Sequence, residues 1–184
     1  MANKPPDFCP YCGSRLTEID PPTIHLCEDC GQYVFHNPTP TARVAVLDGG
    51  SILLNEINVG GLYGVWEVPG GAIEIGEQPR EAVARELQEE TGLYADLDAL
   101  VLFDVVAYEK FDNHHKLVLL YAIDKSATGG ELSVGAEPRD VQYWDPIEFA
   151  AEGHELTDRY PDKYEDLHAW IEAAEIAAHP ERKS

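Results

Sequence analysis

Basic residues are what this sequence most lacks. Thirteen Lys and Arg, only six of them Lys, stand against thirty-four Asp and Glu in 184 residues, a formal net charge of −21. The acids run along the whole chain rather than forming a tail. A surface of this sign repels phosphate backbones and anionic lipids, which disfavours nucleic-acid or membrane binding driven by charge. Any substrate carrying phosphate needs cations between itself and the protein. Cysteine is absent after residue 30, an odd arrangement for stapling a domain of this size with disulfides, which rank below a metal site for these four residues. No run of eighteen apolar residues occurs, and Met1-Ala2-Asn3-Lys4-Pro5-Pro6 has no hydrophobic signal region. The expectation is a soluble, cytoplasmic protein with no membrane partner. The length leaves room for one ordinary domain and a small appendage, and an apolar share of 44% excludes general disorder.

What is present divides the chain at the stiff segment His36-Asn37-Pro38-Thr39-Pro40. Residues 1–38 are rich in Cys, Pro and Gly and read as a metal-held module with its linker. Residues 39–184 read as the main domain. There, Thr41 to Leu47 and Ser51 to Asn55 are β-type runs joined through Asp48-Gly49-Gly50, a hairpin signal. Val65 to Val68 is a further short strand. Pro79 suits the first turn of a helix and Gly92 the position past its end, with Val83 and Leu87 as a narrow apolar stripe. Strands follow around Leu100 to Tyr108, Leu117 to Ile123 and Val141 to Trp144. A last helix is expected from about 162 to 178, with Leu167, Trp170, Ile171 and Ala174 on one face.

Cys9-Pro-Tyr-Cys12-Gly13 and Cys27-Glu-Asp-Cys30-Gly31 are two C-x-x-C-G knuckles separated by fourteen residues. Each Gly permits the positive φ that turns backbone N–H groups toward the thiolates, and four thiolates suit tetrahedral Zn²⁺. Iron in a rubredoxin-like site uses the same ligands and stays open. With every coordination position filled by cysteine, the site reads as structural rather than catalytic, and His25 and His36 as packing or surface residues.

In the expected helix, Glu86, Glu89 and Glu90 stand at i, i+3 and i+4, so three carboxylates leave one face. Each like-charge pair costs about 0.2–0.5 kcal/mol in an isolated helix, and more when partly buried. Mg²⁺ or Mn²⁺, which take oxygen ligands and are shared readily with phosphates, relieve that repulsion. Arg85 is placed to hold Glu89 or Glu77, and Gly70-Gly71 lets the backbone turn so that a carbonyl faces the same site.

From Gly71 to Leu93 the chain reads Gly, five residues, Glu77, seven residues, Arg85-Glu86-Leu87-Gln88-Glu89-Glu90-Thr91-Gly92-Leu93. This is the Nudix box, and a chance match at nine specified positions is on the order of once in a million windows. The protein resembles the Nudix hydrolases. The resemblance implies an α/β fold, an α/β/α sandwich around a mixed sheet, preceded here by the four-cysteine zinc ribbon. It implies Mg²⁺-dependent (or Mn²⁺-dependent) hydrolysis of a nucleoside diphosphate linked to another moiety. Glu86, Glu89 and Glu90 match the metal-binding glutamates, with Gly71 lending its carbonyl, and Arg85 with Glu77 matches the orienting pair. The general base is Glu86 or Glu137, the latter in the loop before Val141. A homodimer is the expectation by analogy.

The ribbon, the Asn-Pro-x-Pro link and the box together are similar to the Nudix subgroup acting on ADP-ribose, FAD or related dinucleotides, and NADH pyrophosphatases also carry a ribbon. The Ser-Gln-Pro-Trp-Pro-Phe-Pro run that NADH-type enzymes have after the box is replaced by Tyr94-Ala-Asp-Leu-Asp-Ala-Leu-Val, which lowers NADH and capped RNA as substrates. Asn55-Glu56 stands where relatives commonly have a basic residue. An alternative class is a non-catalytic nucleotide sensor with a Nudix-like pocket, although the full set of box glutamates argues for the enzyme. The excess acid outside the box, as in Asp158 to Glu175, suggests adaptation to a salt-rich, halophilic cytoplasm. A melting temperature that climbs from low to molar KCl is the expected result, and one indifferent to salt would reject it.

Overall fold

A computed structural model describes residues 5–17, 24–61, 63–111, 114–157, 164 and 166–179. The chain groups into two compact units, residues 1–39 with 107–117, and residues 40–106 with 118–184. In the first, strands β1 (Ile24–Leu26) and β2 (Tyr33–Phe35) form an antiparallel hairpin in which Leu26 faces Tyr33. Val34 turns inward against Cys9 and Cys27, a core so small that apolar burial contributes little to its stability.

The second unit is organised on a mixed sheet. Strands β3 (Thr39–Asp48) and β4 (Ser51–Glu56) form the expected hairpin, with Gly49 and Gly50 both at positive φ, as a two-residue turn of matching twist requires. Strands β5 (Val65–Glu67) and β6 (Gly70–Ala72) flank the Pro69 break and pair with β4 and β3 respectively. Helix α1 (Pro79–Thr91) follows, then β7 (Leu93–Ala95), β8 (Val101–Phe111), β9 (His114–Asp124) and β10 (Thr128–Gly130). Strand β11 (Asp140–Trp144) lies antiparallel on β4, helix α2 is Pro146–Ala151, and β12 (Glu155–Leu156) runs parallel to β5. The main sheet runs β12-β5-β4-β3-β9-β8, and β10 pairs separately with β7. The fold class is therefore the expected one, a mixed, curled α/β sheet carrying helices.

The curl matters because β4 meets β3 at one end, β5 at the other and β11 along its length. Asn55 consequently sits opposite Val141 on one side and Glu67 on the other. Ala82, Val83 and Leu87 of α1 are fully buried with Val44, Val46 and Leu53 of the sheet. Burial of each larger side chain contributes about 1.5–3 kcal/mol, which locks the helix against the strands that complete the site.

Helix α1 begins where Pro79 predicts, with the Gln78 N–H donating to Glu81 at 2.8 Å. It ends at Gly92, φ 73°, whose N–H donates to Gln88. The loop after β10 supplies two more N–H groups to the orphan carbonyls of the last turn, Ser133 to Thr91 and Gly135 to Glu90, both at 2.9 Å. The last helix, α3 (Leu167–Ala178), is shorter than the sequence suggests: Asp166 caps it by accepting the Ala169 N–H at 2.7 Å. Residues 162, 163 and 165, where that expectation placed its first turn, lie outside the described residues. Leu167, Trp170, Ile171 and Ala174 are its buried face. Among the described residues no helix is long and apolar enough to cross a membrane.

Candidate active site

Arg85 is the hub of the carboxylate helix. Its guanidinium donates to Glu77 at 2.9 and 3.2 Å, to Glu86 at 2.8 Å, to Glu89 at 3.2 Å and to the Ala72 carbonyl at 3.0 Å. The Arg85 contacts hold the Glu77 carboxyl below the usual range, and the Glu77 and Glu86 carboxylates hold Arg85 charged. Glu77 is further fixed by the Glu74 N–H at 3.0 Å. This is the geometry of a positioning group, as its donors are spent on protein acceptors.

Glu86 and Glu90 behave differently. Burial pushes the Glu86 carboxyl up against the opposing effect of Arg85, and repulsion from Glu89 and Glu137 adds to the rise. Burial pushes Glu90 up to about 7, opposed by Arg43 and by the Gly70 N–H it accepts at 2.8 Å, and reinforced by Glu67 and Glu86. The Glu89 side chain is 61% exposed. The three carboxylates thus flank one another without converging on a point: Arg85 gathers Glu86 and Glu89, and Glu90 turns toward Gly70. Buried oxygen donors that resist ionising beside one another are a donor set suited to a hard divalent cation.

Gly71 earns its place sterically. A Cβ there would lie 2.3 Å from a Glu86 carboxylate oxygen, so any side chain would displace that group. Gly70, at φ 137°, lies against the Ala42 carbonyl, where a Cβ would approach to 2.3 Å.

Beside the helix opens a cleft of about 340 Å³ lined by Asn55, Glu56, Glu67, Glu90 and Glu137 among others. The loop bearing Glu137 is tied down at both ends. Gly135 packs so tightly on α1 that a Cβ would come within 2.0 Å of the Glu89 carbonyl. Arg139 donates its N–H to the Glu56 carbonyl at 2.9 Å, pairs with the Glu56 carboxylate at 3.6 Å and lies 3.8 Å over the Tyr63 ring. The fold therefore brings Gly71, Glu77, Arg85, Glu86, Glu89, Glu90 and Glu137 to one neighbourhood.

It also brings residues that the sequence reading passed over. Arg43, buried on β3, donates to the Val68 carbonyl at 2.6 Å and pairs with Glu67 at 3.0 Å, next to Glu90. An arginine inside the apolar run Ala42 to Leu47 is itself a signal, since a buried cation needs a fixed partner. Glu67 carries a weaker one, as a lone acid between Trp66 and Val68.

In the ribbon, Cys9 Sγ lies 3.7 Å from Cys30 Sγ and Cys12 Sγ 3.6 Å from Cys27 Sγ, and all four sulfurs fall within 4.8 Å of one another. These are not disulfide distances. A tetrahedron of sulfurs at the usual 2.3 Å from zinc has edges of roughly 3.8 Å. The knuckles repeat one geometry: the Cys9 N–H bonds Ser14 and the Gly13 N–H bonds Cys9, while the Cys27 N–H bonds Gln32 and the Gly31 N–H bonds Cys27. Both glycines are at φ near 70°, 77° and 70°.

Among known proteins, the chain is similar to the NAD-capped RNA hydrolase NudC of Salmonella paratyphi B, 36% identical over 86 residues, 47% of this chain and 33% of that protein. The match spans about a third of the length of such relatives. Its fold is similar to a MutT NUDIX hydrolase from Burkholderia pseudomallei (TM-score 0.55, 25% identity, 76% of this chain and 97% of that one). It is also similar to the NUDIX domain of Shewanella oneidensis NrtR complexed with ADP ribose (TM-score 0.58, 20% identity, 82% and 91%). The NUDIX domain family itself matches residues 37–180, a span that takes in the whole box, the sheet and the Glu137 loop, and the chain belongs to that family.

Proposed function

We propose that this chain is a divalent-cation-dependent pyrophosphohydrolase that cleaves the diphosphate joining a nucleoside to a second moiety, with ADP-ribose or a related dinucleotide favoured. The observation that carries it is the pair of glutamates on one helix face, half-buried Glu86 and buried Glu90, both raised by burial and by neighbouring acids, with Glu90 at the wall of a cleft that also holds Glu137. Glu86, Glu89, Glu90 and the Gly71 carbonyl would hold Mg²⁺ or Mn²⁺. Such an ion, when bound, neutralises the diphosphate and makes phosphorus more open to attack. Arg85, braced by Glu77, orients Glu86, and Arg43 with Glu67 fixes the environment of Glu90. Glu137 takes the proton of the attacking water, its loop held rigid by Gly135 and Arg139. The cysteine ribbon of residues 1–38 holds Zn²⁺ as a structural module, and residues 39–184 form the catalytic domain of a cytoplasmic protein.

ADP-ribose is supported by the ligand of the NrtR neighbour and by the pairing of ribbon with box. The body of a capped RNA is disfavoured by a net charge of −21. The test is a panel of ADP-ribose, FAD, NADH, diadenosine polyphosphates and nucleoside triphosphates with Mg²⁺. ADP-ribose is expected to be cleaved fastest, with EDTA abolishing the rate. Glu137→Gln is expected to lower kcat by roughly 10²–10³-fold with KM little changed. Hydrolysis of every compound at the uncatalysed rate would overturn the proposal.

A further inference from the structure

Asn55 lies at the centre of the sheet and is 3% exposed. It shares a face of β4 with Leu53, which packs into the α1 core, and it is one of the residues lining the cleft with Glu67, Glu90 and Glu137. Neither Oδ1 nor Nδ2 has a hydrogen-bond partner among the described residues. An amide withdrawn from water with its bonds unmade destabilises the fold, whereas an apolar side chain of the same shape is neutral or stabilising. The preceding buried positions of β4 are Ile52, Leu53 and Leu54, so an apolar side chain would suit this strand. The fold gains nothing from an amide here; a molecule entering the cleft does.

The chemistry of that molecule follows from the amide. Phosphate oxygens only accept, and away from bound cations Glu67 and Glu137 repel them. A carboxylate at position 55 would only accept and a lysine would only donate. Asparagine holds a donor and an acceptor side by side in one plane, the complement of a nucleobase or carboxamide edge that carries an acceptor beside a donor. We propose that Asn55 recognises the uncharged end of the substrate, pairing its amide in plane with such an edge while the diphosphate lies at the glutamates. This deepens the hydrolase reading and rests on it only for where the diphosphate lies.

The test compares wild type with Asn55→Leu and Asn55→Asp. The readouts are calorimetric Kd for AMP and for nicotinamide mononucleotide in Mg²⁺, Mn²⁺ affinity, melting temperature, and kcat and KM on ADP-ribose. Asn55→Leu is expected to weaken one of the mononucleotides tenfold or more, with Mn²⁺ affinity within twofold and the melting temperature unchanged or higher. Asn55→Asp, which keeps the shape and loses the donor, should weaken the same ligand, and where that ligand is AMP both variants should raise KM on ADP-ribose more than they lower kcat. A loss on AMP assigns a base edge, and a loss on nicotinamide mononucleotide a carboxamide. Unchanged Kd for both ligands in Asn55→Leu, no binding of either by wild type, a defect confined to Mn²⁺, or a melting temperature that falls with affinity in both variants would overturn the inference. Wild type that binds as expected and hydrolyses nothing sinks the hydrolase reading and leaves this one standing.

Discussion

Glu90→Gln lowers kcat/KM on the preferred substrate by roughly 10³-fold, about 4 kcal/mol in the barrier, while the melting temperature measured in EDTA stays level or rises. The two halves of this result come from one feature. Glu90 is nearly buried, and its carboxyl is pushed up to about 7 chiefly by that burial. Ionised Glu90 is therefore a cost to the fold at neutral pH. Glutamine has the same shape and keeps an oxygen for the Gly70 N–H, so the contact at 2.8 Å survives while the buried charge disappears. Arg43, whose charge opposes the rise at Glu90, retains Glu67 at 3.0 Å and the Val68 carbonyl. What the variant loses is an anionic oxygen toward the cation and the phosphate. Equal rates for wild type and variant on every compound of the panel would remove Glu90 from the chemistry. A melting temperature several degrees lower in the variant would show that its charge stabilises the fold and that the trade proposed here is wrong.

The two halves of the site were unequally legible in the sequence. Glu77, Arg85, Glu86, Glu89 and Glu90 are local: one helix, bounded by Pro79 and Gly92, places the last four by spacing alone, and the turn just before it brings Glu77 to Arg85. Arg43, Asn55 and Glu67 come from three strands, and their approach depends on how the sheet curls. Nothing in the alternation of β4 announces that Asn55 stands between Val141 and Glu67, because that requires β4 to pair with β5 and β11 at once. Glu137 was legible as an acid in a loop. What fixes that loop, the contact of Gly135 with the Glu89 carbonyl and of Arg139 with Glu56 and Tyr63, is long-range packing. The same limit applies to β12, whose two residues are too few for any period; the start of α3 follows the apolar spacing, which begins at Leu167 just after the Asp166 cap, rather than the expected start near 162. The hairpin at Gly49-Gly50 and the knuckles at Gly13 and Gly31 were readable because each uses glycine where φ is positive.

Cys27→Ser is expected to reduce bound zinc from one equivalent to less than a tenth and to open residues 1–39 to limited proteolysis and rapid amide exchange. Among the described residues the apolar interior of the ribbon amounts to Cys9, Cys27 and Val34, with Leu16 and Cys30 at its edge. Ordering each residue of such a module costs about 1–2 kcal/mol in backbone entropy, far more than that interior offsets. A four-thiolate zinc site contributes about 10–16 kcal/mol in small metal-dependent domains, which is the size of term required. Sulfurs at 3.6 and 3.7 Å, with the knuckle N–H bonds already formed around them, match the tetrahedron such an ion demands. Cys27 is the sharper choice for substitution because it is almost fully buried: serine offers a shorter, harder ligand that cannot reach a centre set by three sulfurs, and it leaves a hydroxyl without water. Elemental analysis of wild type purified without chelator gives the reference value. Iron in place of zinc would change the identity of the ion, and a metal-free wild type that resists protease as well as the metal-bound form would show that the knuckles stand without one.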